Sequence, residues 1–110
     1  MKRANRVLKY QEFQDIIQSA PVVKSKHFVI HFRTNQQERL RIGISVTKRN
    51  GYAVKRNKIR RQVRAMLAKD ADFQKPLDLI IIVRNSYDPT KFVELETELL
   101  DDLAQMGARH

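Results

Sequence analysis

Cysteine is absent from the 110-residue chain, which excludes disulfides and thiolate metal sites and is compatible with a reducing, cytoplasmic setting. Long hydrophobic runs are absent too. The longest, Leu79 to Val83, is far too short to span a bilayer, and no N-terminal apolar stretch of the signal-peptide kind is evident. Glycine and proline number only three each, with no repeats, low-complexity tracts or Gly/Ser linkers, so residues 1–110 read as a single domain. Acid is scarce where it matters most. Asp and Glu total 12 against 22 Lys and Arg, and none falls between Glu38 and Asp70, where eleven Lys and Arg do. A formal charge of +10 and a pI near 10.3 point to a polyanionic partner, nucleic acid ahead of an anionic membrane.

A catalytic constellation is also missing. His27 and His31 are four apart on an expected strand, so both should point to one face, about 13 Å apart and too far to chelate one ion. Asp70, Asp72 and Asp78 have the spacing of a solvated loop. The acidic C-terminal segment, with Glu94, Glu96, Glu98, Asp101 and Asp102, reads as a solvated helix face. No helical His-x-x-x-His, Gly-rich phosphate loop or Ser/Cys nucleophile motif occurs. The side chains supply no obvious catalyst.

What is present is a basic helix. In Ala53 to Lys69, Ile59, Val63, Met66 and Leu67 share one helical face, while Asn57, Arg60, Arg61 and Arg64 fall within about a 100° arc opposite. Guanidinium groups so close repel unless a polyanion lies against them, and their donor forks match phosphate oxygens. A surface shaped only for stability would interleave signs. Lys2, Arg3, Arg6 and Lys9 add a basic N-terminus, so one side of the domain should be positive and another neutral or acidic.

The remaining periodicities give an α+β domain. Tyr10 to Ser19 is helical and closed by Pro21. Val22 to Arg33 is extended, as one bent strand or two short ones, with Phe28, Ile30 and Phe32 on one face. After a turn at Asn35 to Glu38, Leu40, Ile42, Ile44 and Val46 alternate with Arg39, Arg41, Ser45 and Thr47 as a strand, which Asn50-Gly51 ends. Leu79 to Val83 is a strand buried on both faces. Asp88-Pro89 starts a last helix with core positions Phe92, Leu95, Leu99, Leu103 and Met106. The order is αβββαβα, and the strands flanking the basic helix form a parallel βαβ unit.

The run Arg41-Ile42-Gly43-Ile44-Ser45-Val46-Thr47-Lys48-Arg49, Asn50-Gly51-Tyr52-Ala53-Val54 and Lys55-Arg56-Asn57-Lys58-Ile59-Arg60-Arg61 resembles the signature of the bacterial ribonuclease P protein subunit. The basic N-terminus, Glu12-Phe13, His27-Phe28-Val29-Ile30 and Leu79 to Val83 follow in the family's order, so the resemblance covers nearly the whole chain. It implies an αβββαβα fold with a mixed sheet and a left-handed βαβ crossover, against the general preference. It implies a non-catalytic protein subunit of an endoribonuclease. A large RNA subunit, with magnesium held mainly by that RNA, removes the 5′ leader from precursor tRNA. The implied partners are ribonuclease P RNA and precursor tRNA, with no protein or membrane partner.

By the same resemblance, Lys48, Arg49, Lys55, Arg56, Asn57, Lys58, Arg60, Arg61 and Arg64 face the catalytic RNA. The single-stranded leader lies in a cleft of Phe13, Ile17, Val29 and His31. Ile17 stands where many members carry a second aromatic and His31 where several carry tyrosine, which should weaken base stacking at Ile17. The competing reading is a ribosomal or other structural RNA-binding protein, and a weaker one a stand-alone nuclease acting through its carboxylates.

Overall fold

The computed structural model describes residues 9–19, 21–36, 39–70 and 76–109. The basic residues Lys2, Arg3 and Arg6, together with Glu38 and Asp72, lie outside that set. The elements are α1 (Tyr10–Ser19), β1 (Val22–Lys24), β2 (Phe28–Thr34), β3 (Arg41–Val46), α2 (Ala53–Asp70), β4 (Leu77–Val83) and α3 (Phe92–Arg109). The extended stretch after Pro21 is thus two strands forming a hairpin. The sheet order is β1-β2-β4-β3, antiparallel except for the expected parallel pair β3–β4.

The sheet is covered unequally. On one face Phe28, Ile30, Phe32, Ile42, Val46, Leu79, Ile81 and Val83 pack against Ile59, Val63, Met66 and Leu67 of α2 and Leu95, Leu99 and Met106 of α3. On the other, α1 is the one helix among the described residues, seating Ile16, fully buried, against Ile80, with Phe13, Ile17 and Ile82 half-buried around them. Gly43 makes this approach possible. A Cβ there would stand 2.5 Å from Cε2 of Phe13 and 2.9 Å from Cδ1 of Ile80, so the ring rests where a side chain would otherwise be.

The pairing register arranges the α1 face in three rows: Arg33–Asp78–Arg41, His31–Ile80–Gly43 and Val29–Ile82–Ser45. The first is ionic. Asp78 belongs to β4 and is 0% exposed, not a solvated loop acid as its sequence spacing suggests. Its carboxylate accepts from Arg41 Nε (2.8 Å) and Nη2 (2.8 Å), Asn35 Nδ2 (2.7 Å) and Arg33 Nε (3.3 Å). Burial pushes the carboxyl up, but the hydrogen bonds and charge of Arg41, with Asn35 and Arg33, hold it below its ordinary range. Arg41 in turn binds Glu12 at 2.5 Å and so ties the first turn of α1 to β3.

Two acids of α3 also turn inward instead of facing solvent. Glu98 accepts from the His27 N–H (2.7 Å) and lies 2.6 Å from His27 Nδ1, while the Ser25 hydroxyl stands 2.7 Å from Glu98 and 2.5 Å from Asp102. These contacts fasten the β1–β2 turn to α3. His27 therefore faces α3, whereas strand alternation puts His31 on the α1 side, so the two histidines do not share a face. At the other end, Asp88 caps as expected, accepting from the Thr90 N–H at 3.0 Å, with Pro89 opening a 3-10 turn that leads into α3.

Candidate nucleic-acid interface

The first surface is built on α2 and the segment before it. After β3 the chain makes a 3-10 turn, Lys48–Asn50, and passes through Gly51 at φ 110°, a conformation L side chains rarely adopt, before α2 begins. Asn50 is buried and donates to the Val83 carbonyl at 3.3 Å. That bond moors the turn to the end of β4 and leaves Lys48 and Arg49 exposed. Nothing in the sequence singled out Asn50 except its place before a glycine.

Along α2 the structure groups Asn57, Arg60, Arg61 and Arg64, with Arg60 Nη1 donating to Asn57 Oδ1 at 2.8 Å. Asn57 and Arg61 are exposed, while Arg60 and Arg64 are half-buried. At 100° per residue the arc flanks the apolar stripe instead of lying diametrically opposite it, so the guanidinium stems of Arg60 and Arg64 lean on the shoulder of the helix. Lys55 and Lys58 are not part of this arc. The positive charge of Lys55 reaches Asp88 and helps hold its carboxyl low, after the stronger hydrogen bonds from Thr90. Gln62 and Lys69 mark the side toward α3, through Gln62 Nε2 to the Pro89 carbonyl (3.0 Å) and Lys69 to Glu96 (3.0 Å). Basic and acidic helices are therefore neighbours on one sheet face, with the change of sign running between them.

Tyr87 stiffens this junction. Its ring meets Phe28 edge-on and its hydroxyl donates to Gln62 at 2.7 Å, and burial pushes that phenol up to about 12. Arg84, exposed directly after β4, was not singled out from sequence. The parallel register Val46↔Val83 places it beside the start of the 3-10 turn, and a cation immediately after a buried parallel strand is the signal that could have found it.

The second surface is the trough on the α1 face. Phe13, Ile17, Val29 and His31, proposed together from sequence, are all half-buried there, joined by Ile82 and Ser45 in the row that α1 leaves partly open. The Nδ1 of His31 is buried with no hydrogen-bond partner among the described residues. Flat apolar groups next to an unengaged ring nitrogen can hold an unpaired base by stacking and one hydrogen bond.

Three of the inward-facing acids already have partners. Asp78 is saturated by Arg41, Arg33 and Asn35, and Glu98 and Asp102 are taken up by Ser25 and His27. Among the described residues no three His, Cys, Asp or Glu are grouped to hold a metal ion, and no helix is long and apolar enough to cross a membrane.

Comparison with known proteins gives one answer throughout. The sequence profile of the family Ribonuclease P matches residues 1–107. The ribonuclease P protein component of Mycoplasma mycoides is 37% identical over 102 residues, 91% of this chain and 94% of that protein. That of Bacillus velezensis is 34% identical over 100 residues, 90% and 86% of the two chains. Among solved structures, a Staphylococcus aureus RNase P protein mutant with defective mRNA degradation activity superposes with a TM-score of 0.87 at 29% identity, covering 96% of this chain and 90% of that one. With sequence match and fold in agreement over nearly its full length, the chain belongs to the ribonuclease P family, protein components of a tRNA-processing ribonucleoprotein.

Proposed function

We propose that this chain assists a catalytic RNA by gripping two RNAs at once. The Asn57–Arg60–Arg61–Arg64 arc and the Lys48–Arg49 turn lie on the catalytic RNA. The trough of Phe13, Ile17, Val29 and His31 holds the single-stranded 5′ leader of precursor tRNA. The observation that carries this reading is that the two surfaces stand on opposite faces of one four-stranded sheet, so neither partner excludes the other. Hydrolysis is assigned to the RNA with its magnesium, and no step is assigned to a protein-bound ion. A role as a ribosomal or purely structural RNA binder gains no support from a full-length match to ribonuclease P.

Reconstitution tests the reading. The purified chain alone should leave precursor tRNA intact. Added to a bacterial ribonuclease P RNA at low magnesium, it should accelerate removal of the leader over RNA alone. Phe13→Ala should weaken precursor binding to the holoenzyme by roughly 1–3 kcal/mol, the worth of one stacked base, and leave mature tRNA unaffected. Equal losses for both substrates would reduce Phe13 to a packing residue.

A further inference from the structure

Among the described residues four large apolar side chains are mainly exposed, and two of them, Tyr52 and Val54, sit inside the basic segment that begins α2. Tyr52 is 90% exposed. It is not wasted core surface, because it borders a pocket of about 430 Å³ whose other walls are Lys48, Gly51, Ala53 and Arg56. The volume is within the range of small-ligand sites. Gly51 and Ala53, the smallest residues of the lining, add little bulk to its walls. The Nε of Arg56 is buried and has no hydrogen-bond partner among the described residues. A buried donor without an acceptor is costly, and a ligand that supplies the acceptor recovers that cost.

We infer that this pocket binds one unpaired ribonucleotide, with its base stacked on Tyr52 and its phosphate held by Lys48 and Arg56. The chemistry of the lining is specific to that class. An aromatic face accepts any base, a guanidinium fork and an ammonium suit a phosphodiester, and all three line one cavity. A duplex would offer phosphates but no base face, and would leave Tyr52 unused. The inference rests on the RNA-binding role proposed above and adds a site to it. The nucleotide comes from the catalytic RNA, because Arg56 stands one turn before Arg60 on α2, whose Arg60–Arg64 side is assigned to that RNA above, and α2 packs on the sheet face opposite α1.

Tyr52 is so exposed that its replacement leaves the core intact, which melting curves would verify. Tyr52→Ala should lower affinity for ribonuclease P RNA alone by roughly 5- to 150-fold, the effect of losing one stacked base, without changing the salt dependence. Tyr52→Phe should keep the wild-type affinity. The chain contains no tryptophan, so Tyr52→Trp gives a single tryptophan, selectively excited over the remaining tyrosines, that an unstructured ten-nucleotide oligoribonucleotide should quench. A loss confined to precursor tRNA, with ribonuclease P RNA bound normally, would keep the pocket and transfer its nucleotide to the leader. Alanine binding both RNAs like wild type, or phenylalanine binding as weakly as alanine, would overturn the inference. If the wild-type chain itself failed to bind ribonuclease P RNA, the fault would lie with the proposed function instead.

Discussion

Replacing Asp78 by asparagine should be the most damaging single change of charge in the described structure. The carboxylate is 0% exposed and receives four hydrogen bonds, two of them from Arg41, which is itself 13% exposed. Removing one partner of a buried ion pair costs about 3–5 kcal/mol because the other charge is stranded. The lower end applies here, since Arg41 keeps Glu12 and Arg33 is 35% exposed to water. A loss of about 3 kcal/mol should lower the melting temperature of a domain this size by roughly 10–15 °C, followed by circular dichroism. Glu12→Gln is the control: Glu12 is 25% exposed and binds Arg41 through its outer nitrogen, so its loss should cost no more than about 1 kcal/mol. The pH dependence supplies a second check. Asp78's folded pKa is lowered, so its contribution is present above the ordinary Asp value of about 3.9 and is lost as pH falls through the folded value. The stability gap between wild type and Asp78→Asn, read from urea midpoints, should persist at pH 4 and close below it. Equal effects of the two substitutions, or a gap unchanged in strong acid, would refute the buried-cluster argument.

Arg60→Ala with Arg64→Ala should flatten the plot of log affinity against log salt by one to two units on ribonuclease P RNA, about 0.7–0.9 per phosphate contact; an unchanged slope would remove this arc from the interface. Gly43→Ala should displace the Phe13 ring at a cost of about 1 kcal/mol in thermal unfolding and weaken precursor but not mature tRNA, whereas wild-type binding of both would show that the ring's seat does not shape the trough. Asp102, 3% exposed, has its pKa raised by burial, so the stability it lends is full below the ordinary Asp value and is lost as pH climbs through the folded one. Asp102→Asn should therefore flatten stability against pH above about 4 and match or exceed wild type at neutral pH; a large loss at pH 7 would mean the carboxylate is needed charged.

The elements that periodicity reveals were legible in the sequence: both boundaries of α1, the stripe of α2, the buried strand β4 and the Asp88-Pro89 cap. What periodicity cannot show is which charges find partners across the chain. Asp78 reads as a loop acid because its ligands, Arg33, Asn35 and Arg41, are 45, 43 and 37 residues away. The sequence did hold a hint for Asp102. With Leu95, Leu99 and Met106 it completes one helical stripe, and an acid on a core stripe requires a partner. That partner is the Ser25 hydroxyl, which lies within hydrogen-bond distance of both Asp102 and Glu98 but has only one proton to donate, and burial raises the Asp102 pKa. Candidate RNA-facing residues were legible as a set but not as a surface, since Lys55 and Lys58 satisfy the same pattern yet leave the arginine arc.

The unequal cover of the sheet is what lets so small a domain present two binding surfaces. α2 and α3 together fill one face with the main core, so the fold's stability is drawn from that side. Among the described residues a single ten-residue helix covers the other, enough to bury Ile16 and Ile80 but too short to seal the row Val29–Ile82–Ser45. A longer α1 would close the trough, and a missing one would expose Ile80. Gly43 lowers the helix onto the strands and the Glu12–Arg41–Asp78 chain pins its first turn, so the opening is confined to the end farther from that anchor. The trough is thus a consequence of helix length and of where the helix is fastened, and it can vary in side chains such as Ile17 and His31 without touching the core that supports α2.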